Sequence, residues 1–141
     1  AGEWSGKAKH VGEEGDESFD AAISYRVTSA GSTVMETLFA GTEHEMVTMY
    51  HRHGNDLILT HYCAAGNQPR MKLEPNDDPK KLVFKFLDGT NLDSAKDMHM
   101  HEAVIEIVND DHIRTAWTSY NKGKPSGTAK FDLKRTHTTK K

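Results

Sequence analysis

The feature of this sequence that most limits its fold is an alternation of apolar and polar residues with a period of two, repeated along the chain. In the last segment of this kind, Thr128–Thr136, the apolar residues Ala129, Phe131 and Leu133 are separated by charged ones. Such alternation is typical of a β-strand with one face toward a core. Turn-forming residues recur about every eight to twelve positions, the spacing expected of an all-β protein, and no segment shows the apolar stripe of an amphipathic helix.

The alternating segments predict about ten short antiparallel strands. They are Trp4–Val11, Phe19–Thr28, Thr33–Phe39, Glu43–His51, Leu57–Ala64, Arg70–Leu73, Lys81–Phe86, Met98–Val108, His112–Tyr120 and Thr128–Thr136. A two-sheet sandwich fits this count. Short connections favour an up-and-down β-barrel instead, because closure removes the exposed edges of a sheet. A barrel of this kind has room for one small ligand.

Length and charge exclude several classes of protein. The 141 residues suit a single domain, 1–141, with one core. The formal net charge of −3 gives no reason to expect a nucleic-acid partner. No apolar run approaches the ~20 residues of a transmembrane helix, and we expect a monomer.

The compartment follows less directly from the residues. The lone Cys63 forms no disulfide within the chain, so cysteine usage does not decide the compartment. The chain begins at Ala1 rather than Met, which favours a removed export signal, and hence a periplasmic or secreted protein over a cytoplasmic one, although a simple boundary of the expressed chain explains it equally.

The densest group of chemically active side chains lies in Gly41–Met71. Alternation places His61 and Cys63 on the same strand face as Leu57 and Leu59, so we predict that both face the barrel interior. We expect the neighbouring strands to complete this polar wall. The full set of candidate ligand-binding residues is Glu36, Tyr50, His61, Cys63, Asn67, Gln68, His99, His101 and Trp117.

The segment Gly66–Pro69 has two interpretations. Gly66 and Asn67 tolerate a positive φ, and Pro69 restricts the residue before it to extended geometry, so the segment predicts a bulged corner between strands. Alternatively, the amides of Asn67 and Gln68 are presented to a ligand.

His99 and His101 lie two residues apart on a predicted strand. Their parity matches that of Ala103 and Ile105, which predicts that both imidazoles face inward, about 7 Å apart by the strand rise. With His61, Cys63 or Glu36 as a third ligand they would suit a Zn²⁺, Cu²⁺ or Fe site. The alternatives are polar residues at the barrel rim and recognition of a ligand without metal. A single inward histidine could also be the axial ligand of a haem. No metal or haem is predicted as the first choice.

Cys63 and His61 also suggest a nucleophile and its base, since side chains two residues apart on a strand can be adjacent. The competing interpretation is that a lone cysteine behaves as a small buried hydrophobe. No oxyanion hole is evident in the sequence, and the balance is against an enzyme.

The start of the chain, Gly2-Glu3-Trp4, resembles the G-x-W signature of lipocalins and the wider calycin group. The resemblance implies a barrel in which Trp4 closes one end and packs beneath a basic residue of the last strand. Arg135 shares the inward parity of Phe131 and Leu133, so it is placed for that role. A Trp–Arg stack of this kind contributes roughly 0.5–2 kcal/mol.

A longer resemblance is carried by five segments: YRVTSAG (Tyr25–Gly31), METLF (Met35–Phe39), HEMVTMY (His44–Tyr50), LTHYC (Leu59–Cys63) and GNQPRM (Gly66–Met71). These are similar to a bacterial group of uncharacterised, often exported, lipocalin-like proteins. The resemblance implies a calycin-type barrel and export, and it supplies no activity and no catalytic residues.

The function expected from these observations is the binding of a small apolar or amphipathic molecule inside a barrel, oriented by polar groups near His61. One alternative is a metal- or haem-dependent carrier or enzyme that uses His99, His101 and His61. The other is a packed structural barrel that holds no ligand.

Overall fold

The structure is a computed structural model and describes residues 1–12 and 15–136. Ten strands form one closed antiparallel barrel in which each strand pairs with the next and β10 pairs with β1. The strands are β1 (Gly2–Gly12), β2 (Gly15–Thr28), β3 (Thr33–Leu38), β4 (Met46–His53), β5 (Asp56–Tyr62), β6 (Gln68–Glu74), β7 (Lys81–Thr90), β8 (His99–Asn109), β9 (His112–Asn121) and β10 (Lys124–Arg135). This confirms the predicted all-β, ten-stranded up-and-down barrel.

Helical structure is almost absent from the described part of the chain. It amounts to one short 3₁₀ turn, Ser29–Gly31, between β2 and β3. Among the residues described, none belongs to a helix with the length and apolar character needed to span a bilayer.

The up-and-down order gives the barrel two ends. We call the end at which β1 begins the near end; the β2–β3, β4–β5, β6–β7 and β8–β9 connections also lie there. The far end carries the β1–β2, β3–β4, β5–β6, β7–β8 and β9–β10 connections.

Most strands extend beyond the predicted bounds, and β1, β2 and β6 show why. The predicted loop Gly12–Glu17 is largely strand, because the β1–β2 ladder continues until Gly12 pairs with Gly15; Glu13 and Glu14 lie outside the described residues. Strand β6 includes Pro69, which is buried and pairs with Gly89. Proline is accepted there because it stands near the first residue of the strand.

The barrel interior is filled by apolar side chains that alternate along the strands. Leu59, Met71, Phe84 and Leu133 are fully inaccessible to solvent, and they pack with the other inward residues into one core. Burial of this apolar area is the main favourable contribution to folding.

The near end carries the predicted Trp4–Arg135 stack, which is confirmed. Trp4 and Arg135 are direct partners in the β1–β10 ladder, and the guanidinium carbon lies 4.5 Å from the centre of the indole ring. The guanidinium also donates to the carbonyl oxygens of Ala1 at 2.5 Å and Asp110 at 2.9 Å. Gly2 has a φ of +126°, and a Cβ there would lie 2.7 Å from Arg135 Nη1. The backbone conformation therefore favours glycine at this position of the G-x-W motif, and an added Cβ would also require the Arg135 guanidinium to shift.

Candidate functional site

A row of polar side chains crosses the interior of the barrel. Tyr25, Glu36, Thr48 and His61 are successive Cα partners on β2, β3, β4 and β5. Glu36, Thr48 and His61 are each at most 1% exposed. Buried polar groups are costly unless they are hydrogen-bonded, so a continuous row of them in a core requires an explanation.

The row is joined by two side-chain hydrogen bonds. Tyr25 Oη donates to Glu36 Oε2 at 2.5 Å, and Thr48 Oγ1 lies 2.9 Å from His61 Nδ1. Other polar atoms in the same region have no hydrogen-bond partner among the described residues: Glu36 Oε1, Tyr50 Oη and His61 Nε2. The row is therefore only partly satisfied within the protein.

Burial controls the ionisation of these groups. It raises the pKa of Glu36, and the hydrogen bond from Tyr25, together with the nearby hydroxyls of Thr48 and Tyr50, opposes this effect only in part. Burial, followed by the nearby Glu36 charge, raises the pKa of both Tyr25 and Tyr50 well above the usual value. Burial lowers the pKa of His61 to about 4, so its imidazole is neutral at pH 7.

A cavity of about 520 Å³ lies at the far end, and we call it the far cavity. His61 and Trp117 stand in its wall, with ring centres 4.8 Å apart. The remaining apolar lining consists of Phe19, Leu38, Phe39, Met46, Met100, Ala129 and Phe131. His61 thus presents an unpartnered ring nitrogen in a largely apolar chamber.

The mouth of the far cavity is shaped by an aromatic cluster. Phe39 lies between Phe19 and Phe131, with ring centres 6.0 and 6.1 Å away. Its backbone has a φ of +55°, an uncommon conformation for a residue with a bulky side chain. The chain leaves β3 at this point, and the left-handed turn carries the ring into the cavity wall.

A second cavity, of about 490 Å³, lies at the near end, and we call it the near cavity. Tyr25 and Tyr50 line it together with Val34, Leu57, Leu82, Phe84 and Ile105. The polar row thus runs from His61 at the far cavity to Tyr25 at the near cavity. Glu36 and Tyr50, predicted to share one wall with His61, lie toward the near-cavity side of that row.

The prediction that His99 and His101 face the interior beside Ala103 is wrong. A β-bulge in the β8–β9 pairing lies between Met100 and Glu102, so that Met100 pairs with Ser119 and lines the far cavity. One extra residue reverses the side-chain alternation on that part of the strand. Neither His99 nor His101 lines the far or the near cavity.

The two histidines instead form a compact group of rings at the far rim. His99 Nδ1 lies 2.9 Å from the carbonyl oxygen of Asp97, which can only accept, so this nitrogen carries the proton. His99 Nε2 then lies 2.9 Å from His101 Nδ1, and His101 stacks between Phe86 and Tyr120, with ring centres at 4.7 and 3.8 Å. Burial and the neighbouring His99 lower the pKa of His101. The pair bonds to itself, as the rim interpretation expects.

The proposed three-histidine metal set is not assembled. Within residues 1–12 and 15–136, no three His, Cys, Asp or Glu side chains are placed to share one metal ion. His61 is hydrogen-bonded to Thr48 inside the barrel, whereas His99 and His101 are bonded to each other at the rim.

Cys63, which was also predicted to belong to this polar wall, lies in a turn and contributes a backbone hydrogen bond. Strand β5 ends at Tyr62, and Cys63 stands in the turn that follows, where its backbone nitrogen donates to Asn67. Its thiol takes part in no hydrogen bond recorded among the described residues, and Cys63 does not line the far cavity. The predicted inward pairing of Cys63 with His61 is therefore absent.

The corner amides serve structure as well. Asn67 Nδ2 donates to the carbonyl oxygen of Met98 at 2.9 Å, and Gln68 Oε1 accepts from Thr90 at 2.7 Å and Asn91 at 2.9 Å. These contacts fit the bulged-corner interpretation; Asn67 Oδ1 is buried without a partner among the described residues, and neither amide lines the far or the near cavity.

The candidate ligand-binding residues predicted from the sequence did not include Tyr25 and Thr48 of the polar row or Met100 of the far cavity. Thr48 shares the parity of Tyr50 on β4, and Tyr25 shares that of Ile23 on β2, so alternation carried a signal for both. Met100 carried none, because its orientation depends on the bulge.

Comparison with known proteins identifies the fold alone. No family model matches the sequence, and no curated protein matches it. The chain is similar to the crystal structure of a protein of unknown function from the DUF3598 family of Nostoc punctiforme PCC 73102, with a TM-score of 0.67 and 16% sequence identity. The match covers 96% of this chain and 47% of the other, so this chain spans about half the length of that structural relative.

Proposed function

We propose that the protein binds a small, mainly apolar molecule in the far cavity and holds one polar group of that molecule at His61 Nε2. The observation that carries the proposal is this nitrogen: it is buried and unpartnered among the described residues, and its imidazole ring belongs to a residue that lines a largely apolar cavity of about 520 Å³. Small-molecule sites typically occupy roughly 300–1,000 Å³ and combine apolar walls with a few placed polar groups.

His61 can bind a ligand group that donates a hydrogen bond or one that accepts it. When the Thr48 hydroxyl donates to Nδ1, Nε2 carries the proton and donates to the ligand. When Nδ1 donates to Thr48, Nε2 accepts. Since the imidazole is neutral at pH 7, the switch between these forms requires no net charge in the core. Trp117 packs against the imidazole and limits its rotation.

The resemblance to lipocalin-like proteins supports the same proposal. The Gly2-x-Trp4 motif with its Arg135 stack stands at one end of the barrel, and the far cavity stands at the other. The stack is the part of this arrangement that the G-x-W resemblance implies.

The proposal is tested with N-phenyl-1-naphthylamine, an uncharged fluorescent probe with a single N–H group. We expect enhanced probe fluorescence and quenching of Trp117, measured in a Trp4→Phe background so that Trp117 is the only tryptophan. Ala129→Phe fills the far cavity and should abolish binding, whereas Ala22→Phe adds the same ring at an exposed position and should leave binding intact.

His61→Phe keeps the aromatic contact with Trp117 and removes the polar nitrogen. It should weaken the probe by about five- to tenfold, the worth of a hydrogen bond of roughly 1 kcal/mol or slightly more. Equal binding by the Ala129→Phe and Ala22→Phe proteins would contradict the proposal by placing the probe outside the far cavity, and no binding by the Trp4→Phe protein would favour a packed barrel without a ligand.

A further inference from the structure

The near cavity has a polar floor that the far-cavity proposal does not use. Tyr25 and Tyr50 line this cavity, and Glu36 lies one inward position deeper on β3 than Val34, which also lines it. The carboxyl group is thus buried one inward position behind the part of the wall that the two tyrosines form.

Two atoms of this floor are unsatisfied. Glu36 Oε2 accepts from Tyr25, but Oε1 has no hydrogen-bond partner among the described residues, and neither has Tyr50 Oη. Tyr50 is near enough to Glu36 to influence its ionisation without the alignment of a hydrogen bond. A single group with two or more N–H donors, placed between them, would satisfy both atoms.

No positive group neutralises Glu36 from within the described structure. Its inward neighbours are Tyr25 on β2, Thr48 and Tyr50 on β4, and, beyond Thr48, the neutral His61 on β5. The basic side chains nearest the mouth, Arg52 and His51, are exposed, and Arg52 donates to the carbonyl oxygen of Gly54 in the β4–β5 turn. An isolated buried carboxylate is strongly disfavoured, so the site stays neutral or takes up a cation.

The walls of the near cavity suit an organic cation. Phe84 and Tyr50 meet edge to face with ring centres 5.8 Å apart, and Tyr25 adds a third aromatic ring. Aromatic faces attract ammonium groups, and a carboxylate adds charge-assisted hydrogen bonds. Leu57, Leu82 and Ile105 supply apolar surface for the remainder of the molecule.

We propose that the near cavity is a second binding site, selective for a small apolar molecule with a primary ammonium group, which bridges Glu36 Oε1 and Tyr50 Oη. The ammonium requires N–H donors, so a primary amine is preferred over a quaternary one. A carboxylate head is rejected by Glu36, and a hydroxyl head can satisfy one of the two atoms but cannot supply the charge.

The test compares three probes with the same phenyl group: 2-phenylethylamine, 2-phenylethanol and phenylacetate. Titrations followed by ¹H–¹⁵N correlation spectra give affinity and location together. We expect the amine to bind about ten- to a hundredfold more tightly than the alcohol, the factor given by hydrogen bonds to a charged group. The shifts should concentrate on Val34, Tyr50 and Leu57, and phenylacetate should not bind there.

Glu36→Gln preserves the shape of the side chain and removes its charge, so it should abolish the preference for the amine. Glu74→Gln makes the same change at an exposed site of the near end and should leave the preference unchanged. In the unmodified protein, the amine-to-alcohol affinity ratio should rise with pH as Glu36, whose pKa is raised by burial, loses its proton, over the range in which the amine remains charged.

Equal affinities for amine and alcohol, an undiminished preference in Glu36→Gln, or shifts centred on the Trp117 indole would each overturn the proposal. The first of these results is also the one expected if the floor is satisfied by water alone. The far-cavity proposal is judged separately, because its probe is uncharged and its readout is Trp117.

Discussion

Acidification should destabilise the protein through His61, and the size of the effect follows from its burial. The imidazole has a pKa of about 4 in the folded protein and about 6.5 when exposed by unfolding. Between these values the unfolded chain binds a proton that the folded chain does not. Folding stability therefore falls as pH drops from above 6.5 toward 4, and it falls no further below that.

The magnitude is large relative to the stability of a domain of this size. At pH 5 the unfolded imidazole is almost fully protonated and the folded one is mostly neutral, which costs about 2 kcal/mol; at and below pH 4 the cost approaches about 3 kcal/mol, since each pKa unit is worth 1.36 kcal/mol. Total domain stabilities are about 5–15 kcal/mol.

Other groups titrate in the same range, so the measurement must isolate His61. Glu36 acts with the opposite sign: its pKa is raised by burial, so its contribution is greatest at low pH and is lost as pH rises through the raised value. The free energy of unfolding is therefore measured in urea for the unmodified protein and for His61→Gln, each at about pH 7.5 and about pH 5. The contributions of Glu36 and other titrating groups are common to both proteins, so they cancel in the difference.

The stability advantage of His61 over Gln should shrink by about 2 kcal/mol on going to the lower pH. His61→Phe should give the same pH-dependent change, although its stability at either pH differs, because neither replacement titrates. A difference that is independent of pH would refute the argument that this imidazole is held neutral by burial.

Two further substitutions test the ends of the barrel by urea unfolding. Gly2→Ala should lower the free energy of unfolding by about 1–3 kcal/mol because of the positive φ, with a further loss from the contact between the new Cβ and Arg135. The loss should exceed that of Gly41→Ala, where φ is +78° but no atom lies within 4 Å of the added Cβ. Equal losses in the two variants would contradict a clash with Arg135. At the far rim, Asn67→Asp should cost more than Asn67→Ala, because a carboxylate would face the Met98 carbonyl oxygen in place of a donor, whereas Ala costs about 1–3 kcal/mol. The reverse order would show that this hydrogen bond does not hold the β7–β8 connection.

Most of the fold could be predicted because it follows from local alternation. The apolar residues of β10 and β5 repeat at every second position, and a closed barrel is the architecture that buries one face of many short strands without leaving edges. Strand ends were less predictable. Alternation does not indicate how far the hydrogen-bonded pairing of two strands continues at the rim of the barrel. Gly12 and Gly15, for example, are paired although the sequence predicts a loop there.

The inward orientation of the candidate residues was predicted correctly where alternation is unbroken. His61 and Trp117 both face the interior, and they meet at 4.8 Å although 56 positions separate them in the chain. Glu36 and Tyr50 are also buried, as expected. The division of the interior into two cavities was not predictable, because it depends on how the side chains of all ten strands fill the middle of the barrel.

The failure at His99 and His101 has a specific physical cause that a single sequence does not contain. Strand β8 must pair with β7 on one side and β9 on the other, and the bulge appears in the pairing with β9, where Met100 and Glu102 oppose the adjacent residues Ser119 and Thr118. Because side chains alternate strictly, one inserted residue moves each side chain beyond it to the opposite face of the strand. The exchange places an apolar thioether, rather than an imidazole, in the far cavity. It therefore leaves His61 as the buried histidine in the wall of the far cavity, and the ligand recognition proposed at that end depends on this neutral imidazole rather than on a histidine cluster.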